Sequence, residues 1–305
     1  MNFTHHRVKL GFMEFRTLLG VDSLQNLLGK PRLVLLDCRF DLMNPDAGRQ
    51  AYLAAHIPGA FYADLNRDLS APVGPASGRH PLPSPDALTR RLGELGLGDD
   101  SQVVAYDEAN GSFAARAWWL LRWLGHDAVA VLDGGFKAWL AHGGALESGA
   151  GAPLPQAQAR PCMPRIAAAA AMSAAVLSTA ELEQALLKPQ ALLVDARAPE
   201  RYAGVVEPID RVAGHIPGAV NHPFSANLDA DGHFLPAAEL RARWLERLGG
   251  KDPRNLIAMC GSGVTACHNL LGLEVAGLPG AKLYAGSWSE WIRDPRRAVA
   301  RGNLP

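Results

Sequence analysis

A cysteine at the junction of an apolar run and a glycine-containing loop is the residue best placed for chemistry. Cys260 follows the apolar residues 256–259 and precedes Gly261-Ser262-Gly263-Val264-Thr265, after which residues 266–276 have a helical pattern. Glycines let a loop turn its N–H groups inward, and a helix N-terminus adds unpaired N–H groups. Ser262 and Thr265 add hydroxyl donors. The pattern therefore predicts a stabilised thiolate, against the alternative of a small buried core cysteine.

A thiolate in such a loop is suited to more than one function. It can accept a sulfur atom as a persulfide, or it can attack a phosphoryl group, because helix N-termini bind anions in general. A cysteine phosphatase needs an arginine six residues after the cysteine to clamp the phosphoryl group. That position is Ala266, which disfavours a phosphatase. A sulfur-carrier module without turnover of its own remains a further alternative.

The elements around Cys260 occur twice in the chain. Residues 55–60 (AHIPGA) are repeated as residues 214–219 (GHIPGA), a shift of 159 residues. Apolar runs ending in Asp37 and Asp195, and later segments at residues 133–139 and 285–291, repeat in the same order with shifts of 158 and 152. Such a repeat indicates a duplicated domain. We predict a first domain over residues 15–145, a linker over 146–178 and a second domain over 179–302.

Each copy alternates strand-length apolar runs with helical patterns. The runs lack polar alternation, which is typical of parallel strands buried on both faces. Helices are predicted over residues 113–124 and 239–248, each followed by a capping glycine, Gly125 and Gly249. The fold class is therefore α/β, with two tandem domains that each have a mostly parallel sheet flanked by helices. Ligands of such sheets bind at the carboxyl ends of the strands, where Cys260 lies.

The first domain carries an aspartate at the place of Cys260. Asp107 follows the apolar run 103–106 as Cys260 follows 256–259. A carboxylate cannot form a persulfide, and it repels an anionic donor. We therefore expect a non-catalytic first domain and one active site per chain, at the domain interface.

The amino-acid composition limits the binding partners and the cellular compartment that we expect. Lysine and arginine number 30, as do aspartate and glutamate, so no broad electrostatic field favours nucleic acid or an anionic membrane. Four cysteines without a CxxC pair argue against a disulfide framework and a zinc site. No apolar run approaches the ~18 residues of a membrane span, and no export signal is recognisable. We expect a cytoplasmic protein with small-molecule partners and without metal or organic cofactor.

The sequence resembles the tandem-domain rhodanese-family sulfurtransferases. The resemblance is carried by residues 260–266 (CGSGVTA), the two HIPGA motifs, residues 286–291 (GSWSEW) and the absence of the cysteine from the first copy. It implies a double displacement, in which the Cys260 thiolate takes a sulfane sulfur from a donor and passes it to a thiol or cyanide. A Gly-Ser loop resembles the 3-mercaptopyruvate type, whereas thiosulfate-preferring members carry basic residues there. Thiosulfate remains the alternative donor.

The resemblance also implies residues outside the loop. Arg201 matches an arginine that holds the donor's carboxylate, and Arg211 follows Glu207-Pro208 at a displaced position for a second one. A serine–histidine–aspartate relay is implied for Ser262, with His56 and Asp46 as the matching histidine and aspartate. For His56 a structural reading competes with this one, because His215 occupies the same motif in the other copy.

Overall fold

Two parallel five-stranded sheets form the framework of the protein. The computed structural model describes residues 14–151 and 175–305. The strands of the first sheet are β1 (Leu18–Leu19), β2 (Leu33–Asp37), β3 (Ala60–Tyr62), β4 (Gln102–Tyr106) and β5 (Val129–Leu132). Those of the second are β6 (Val176–Leu177), β7 (Leu192–Asp195), β8 (Val220–Asn221), β9 (Leu256–Met259) and β10 (Lys282–Tyr284). The spatial orders, β1-β5-β4-β2-β3 and β6-β10-β9-β7-β8, are identical after renumbering, so the predicted duplication and fold class are confirmed.

Helices cover both sheets. Those of the first domain are α1 (Val21–Leu27), α2 (Ala47–Ala54), α3 (Pro85–Glu94), α4 (Ala114–Trp123) and α5 (Gly135–Ala141). Those of the second are α6 (Thr179–Leu186), α7 (Pro199–Tyr202), α8 (Ala237–Leu248), α9 (Ala266–Val275) and α10 (Ser287–Trp291). The helix predicted over 239–248 begins two residues earlier and ends as predicted, with Gly249 in the left-handed region at φ +56°.

The cores show how the two halves are joined. One buried cluster packs against the outer face of each sheet. A third cluster is continuous through both domains and includes apolar side chains of α4 and α9. These two helices each follow the loop at the end of a central strand, and they pack against one another. The loops that precede them therefore meet at the domain interface, since apolar burial holds the helices together.

The predicted linker over 146–178 is structured at both ends. Glu147 forms an antiparallel bridge with His56, and residues 176–177 are strand β6 of the second sheet. Residues 152–174, including Cys162, lie outside the described residues. Within residues 14–151 and 175–305 the helices are all too short or too polar to cross a membrane.

Candidate active site

Cys260 lies at the carboxyl end of the central strand β9, where the predicted loop surrounds it. Its side chain is nearly buried, at 2% exposure. Gly263 has φ +77° and donates its N–H to Cys260 Sγ at 3.1 Å. A Cβ on Gly263 would lie 2.4 Å from the Ala285 carbonyl oxygen, so glycine is required by both conformation and space. The geometry aims a backbone dipole at the sulfur and favours its anionic form.

The loop is held from behind by the segment that opens α10. Cys260 donates its N–H to Ser287 Oγ at 3.1 Å. The carbonyls of Cys260 and Gly261 accept from the N–H groups of Trp288 (3.0 Å) and Ser289 (2.9 Å). The two repeated motifs, 260–266 and 286–291, therefore form a single unit, in which one fixes the backbone of the other.

Ser262 pairs with a histidine that the sequence did not indicate. Its Oγ lies 2.7 Å from His80 Nδ1, and His80 belongs to a loop of the first domain. Burial, and then the neighbouring Arg116 and Arg79, lower the pKa of His80 to about 3. His80 is therefore a neutral hydrogen-bonding partner at ordinary pH. No local pattern marks this residue, because 182 positions separate it from Ser262.

The structure does not assemble Ser262, His56 and Asp46. His56 Nδ1 lies 2.7 Å from the Tyr52 carbonyl oxygen, and its ring stacks on Tyr52 at 4.0 Å. Asp46 is exposed and precedes α2 without a side-chain capping bond. The His56 ring is thus held by Tyr52, and the histidine that contacts Ser262 is His80.

The second HIPGA motif supports this structural role. His215 Nδ1 lies 2.9 Å from the Tyr202 carbonyl oxygen, and the two rings stack at 3.8 Å. The same stacked tyrosine–histidine pair in both copies explains the repeated histidine without chemistry. The competing structural reading of His56 therefore agrees with its contacts.

The two predicted arginines differ in position. Arg201 faces the loop, because a Cβ on Gly261 would lie 3.5 Å from its Nη2 and 3.7 Å from its Nη1. Arg211 is exposed and donates from Nη2 to the carbonyls of Ile292 (2.8 Å) and Arg293 (3.5 Å). It makes no hydrogen bond to the loop among the described residues, so the structure does not join it to Arg201.

Asp107 occupies the equivalent position of the first domain. Its carboxylate accepts from the N–H groups of Gly111 (2.9 Å), Phe113 (2.8 Å) and Ala114 (3.1 Å). Gly111 has φ +74° and corresponds to Gly263, so the Gly111 N–H meets the carboxylate as the Gly263 N–H meets Sγ. The first domain therefore has the same N–H cradle, filled by its own side chain.

Two equivalent side chains reach across the interface to the opposite loops. Arg116 of α4 is completely buried and donates to the carbonyls of Gly263 (3.0 Å), His80 (3.2 Å) and Leu69 (3.4 Å). His268 of α9, the equivalent position, has Nε2 at 3.0 Å from the carbonyl of Asn110. We call this pair the cross-domain clasp. Burial lowers the pKa of Arg116, and no described carboxylate bonds it.

The other thiol near Cys260 is inert in this geometry. Cys267 is buried on α9 and donates its S–H to the Gly263 carbonyl at 3.3 Å. Burial raises its pKa to about 12, so it stays protonated at neutral pH. In the described part of the chain, no group of three or more histidine, cysteine or carboxylate side chains is placed to hold a metal.

Comparisons with known proteins agree with this architecture. The Rhodanese-like domain model matches residues 20–142 and 178–294. A probable 3-mercaptopyruvate sulfurtransferase of Pseudomonas aeruginosa is 50% identical over 294 residues, 95% of this chain and 100% of that one. A putative thiosulfate sulfurtransferase of Mycobacterium tuberculosis is 41% identical over 270 residues, 88% of this chain and 90% of that one. The crystal structure of SseA from Escherichia coli superposes with a TM-score of 0.74 at 33% identity, covering 90% of this chain and 100% of that one.

Proposed function

Because the chain belongs to the rhodanese family, we propose that it is a sulfurtransferase that moves a sulfur atom from 3-mercaptopyruvate to a thiol or cyanide through a persulfide on Cys260. The observation that carries the proposal is the N–H of Gly263 on Cys260 Sγ, at the mouth of a helix N-terminus. This arrangement stabilises an anionic sulfur at the end of strand β9, which faces the first domain.

The chemistry divides into two displacements. The Cys260 thiolate attacks the donor's sulfur, the donor's C–S bond breaks, and the electron pair goes to the carbon that becomes the methyl group of pyruvate. The proton of the donor's thiol moves to that carbon, which completes pyruvate and leaves a persulfide anion on Cys260. An acceptor such as cyanide then takes the outer sulfur and restores the thiolate. This is covalent catalysis with ping-pong kinetics.

The first domain indicates where the outer sulfur of the persulfide would lie. Asp107 uses the N–H groups of Gly111, Phe113 and Ala114. The corresponding groups around Cys260 are those of Gly263, Thr265 and Ala266, and the last two bond no described residue. They are available to an anion one bond longer than a thiolate, which a persulfide is.

Ser262 is proposed to assist proton movement at the donor. Its hydroxyl is oriented by His80, whose low pKa keeps the ring neutral and able to accept. A hydroxyl beside the attacked sulfur can give its proton to the developing carbanion while it takes another from the thiol. His80 then acts as a positioning residue for Ser262, and Arg201 supplies charge for the carboxylate.

Two alternatives to this function remain, a different sulfur donor and a persulfide carrier without turnover of its own. Thiosulfate is the alternative donor, because the relative in Mycobacterium tuberculosis carries that name. The loop itself offers it no basic side chain, since residues 261–265 are uncharged. A persulfide carrier that serves a protein acceptor would use the same loop. Ala266 in place of the phosphate-clamping arginine argues against a phosphatase.

The test is sulfur transfer to cyanide, read as thiocyanate, with 3-mercaptopyruvate and thiosulfate in parallel. We expect mercaptopyruvate to be the better donor, and Cys260→Ser to abolish turnover while Cys267→Ser retains it. Activity of the Cys260→Ser protein would contradict the proposed chemistry. A higher kcat/KM for thiosulfate would contradict the donor assignment, and failure of both donors would favour the carrier.

A further inference from the structure

We propose that Ser287 is a positioning residue of the reaction, whose side chain holds the backbone of Cys260 in place at the expense of an unfavourable conformation of its own backbone. The inference rests on the proposed function, because it assigns a role in the reaction of the Cys260 sulfur. It adds to that function a residue outside the catalytic loop, which acts through the loop rather than on the donor.

Ser287 has an unusual backbone conformation. Its φ of +52° lies in the left-handed region, and within residues 14–151 and 175–305 it is the only residue other than glycine with a positive φ. A Cβ crowds the following carbonyl oxygen in this region, so the conformation is unfavourable for L-residues. Ser287 is also completely buried. Such a conformation persists only where the surrounding structure imposes it, and it is found preferentially at functional sites.

The first domain has a glycine at the corresponding position. Residues 133–136 and 285–288 are equivalent in the repeat, so Gly135 corresponds to Ser287, and its φ is +58°. The turn therefore requires a left-handed residue in both copies, and glycine adopts that conformation without steric conflict. Because the second domain has a serine there instead, we infer that its side chain supplies something that glycine cannot.

The hydroxyl of Ser287 supplies a hydrogen bond to the reactive residue. Its Oγ accepts the N–H of Cys260 at 3.1 Å and donates to the Tyr284 carbonyl at 2.9 Å. Cys260 is nearly buried, so its N–H would be left without water if this acceptor were removed. A buried N–H without an acceptor is unfavourable. The bond therefore determines how the peptide that carries the reactive side chain is oriented.

The main-chain bonds between the loop and α10 do not require a serine. Residues 288–289 donate their N–H groups to the first two carbonyls of the catalytic loop, at 3.0 and 2.9 Å. Residues 136–137 make the same two bonds to the loop of the first domain, each at 2.8 Å. Both copies thus hold two carbonyls in the same way. The bond that glycine cannot reproduce is the one from the Cys260 N–H to Ser287 Oγ.

The two loops differ in how their own N–H groups are used. In the first domain the Asp107 carboxylate accepts three of them and braces its loop from inside. In the second domain Cys260 Sγ accepts the N–H of Gly263, and the proposed function keeps the other N–H groups for the outer sulfur of the persulfide. That loop therefore lacks the internal brace. The Ser287 hydroxyl replaces it from the opposite side and leaves the anion site open.

The first test compares Ser287→Ala with Ser287→Gly in the rate of Cys260 alkylation by iodoacetamide, which does not depend on sulfur transfer. Both variants lack the hydroxyl, so the Cys260 N–H loses its acceptor in each. We expect both rates to fall about tenfold, part of the roughly 10²-fold loss that a displacement of about 1 Å can cause. A wild-type rate in either variant, with native circular dichroism, would overturn the role of the hydroxyl.

Urea denaturation of the same two variants tests the backbone conformation. Only glycine relieves the left-handed strain, so Ser287→Gly should have a higher denaturation midpoint than Ser287→Ala, although both lose the same reactivity. If Ser287 served stability alone, then reactivity would follow stability and the glycine variant would be the more reactive. Equal midpoints would refute the idea that position 287 gives up stability for the orientation of Cys260.

Ser101→Ala is the matched control. Ser101 is also a buried serine, and its Oγ accepts the N–H of Gly98 at 2.9 Å, just before strand β4 of the first domain. The substitution removes the same kind of hydrogen bond at the amino end of a strand, whereas Cys260 lies at the carboxyl end of one. We expect a lower denaturation midpoint with a wild-type alkylation rate. An equal fall in that rate would assign the effect to general loosening and refute a specific role for Ser287.

Steady-state kinetics with 3-mercaptopyruvate separate positioning of the sulfur from binding of the donor. We expect Ser287→Gly to lower kcat about 10- to 100-fold and to leave the donor KM within about twofold of the wild type. A raised KM with an unchanged kcat would overturn the inference. A wild-type protein that does not turn over mercaptopyruvate would instead defeat the proposed function, and the alkylation rates would still decide the role of Ser287.

Discussion

Gly263→Ala is the most informative perturbation of the catalytic loop, because the chain provides a matched control in Gly218→Ala. Both glycines have positive φ, +77° and +84°. A Cβ on Gly263 would lie 2.4 Å from the Ala285 carbonyl oxygen, whereas one on Gly218 would meet nothing within 4 Å. The pair therefore separates the cost of backbone conformation from the cost of displacing the loop.

Both substitutions should cost stability through the left-handed backbone, but only Gly263→Ala should lower activity strongly. Alanine in the left-handed region costs about 1–2 kcal/mol of stability, and both variants bear that cost. Only Gly263→Ala must shift the peptide whose N–H lies 3.1 Å from Cys260 Sγ. Loss of one preorganised donor to a reacting anion costs about 10²–10³ in kcat. We expect that range for Gly263→Ala and less than a threefold change for Gly218→Ala.

The assay is thiocyanate formation at saturating donor, together with urea denaturation of each variant. The rate of Cys260 alkylation by iodoacetamide should fall in Gly263→Ala only, because only that variant moves the N–H that faces the sulfur. If Gly263→Ala is destabilised like Gly218→Ala but keeps wild-type kcat and alkylation, then the Gly263 N–H does not stabilise the sulfur anion.

Three further outcomes follow from the buried groups. Burial lowers the pKa of three histidines from 6.5 to about 3 or 4, namely His80, His222 and His268. The unfolded chain takes up protons below pH 6.5 that the folded chain does not. The free energy of unfolding should therefore fall as pH drops from 6.5 to 4, by up to about 1.4 kcal/mol per pH unit for each group, and a flat urea-denaturation series would contradict this. Since the pKa of Cys267 is about 12, iodoacetamide at pH 8 should label Cys260 and spare Cys267 in peptide maps, and equal labelling would refute its protonated state. Arg116→Met should lower the free energy of unfolding by about 2–5 kcal/mol and slow Cys260 alkylation at least tenfold, whereas a variant with wild-type values of both would exclude a role for the clasp.

The chemistry of the catalytic loop was predictable because it is local. A strand, two glycines and a helix within 20 residues determine where the Cys260 sulfur lies and which N–H groups face it. The repeat added a second, independent constraint, since it showed that the same loop carries Asp107 in the other copy. Sequence periodicity and self-comparison were sufficient for both conclusions.

The partners that come from the other domain were not predictable in the same way. His80 and Arg79 lie in an irregular loop, and their contacts, Ser262 and Asp210, follow 182 and 131 residues later. The expectation for His56 relied on a motif, and that motif is explained by a stacked tyrosine in each copy. Contacts across an interface depend on how two folded units dock, and no short sequence pattern records that geometry.

The cross-domain clasp couples the association of the two domains to the reactivity of the Cys260 sulfur. Arg116 supports the Gly263 carbonyl from one side, and His268 supports the Asn110 carbonyl from the other. Any opening of the interface weakens both loops together. An anion that tightens the second loop must, by linkage, tighten the association of the halves by the same factor. The first domain, which carries Asp107 in place of the cysteine, therefore supports the loop of Cys260 as a covalently attached partner.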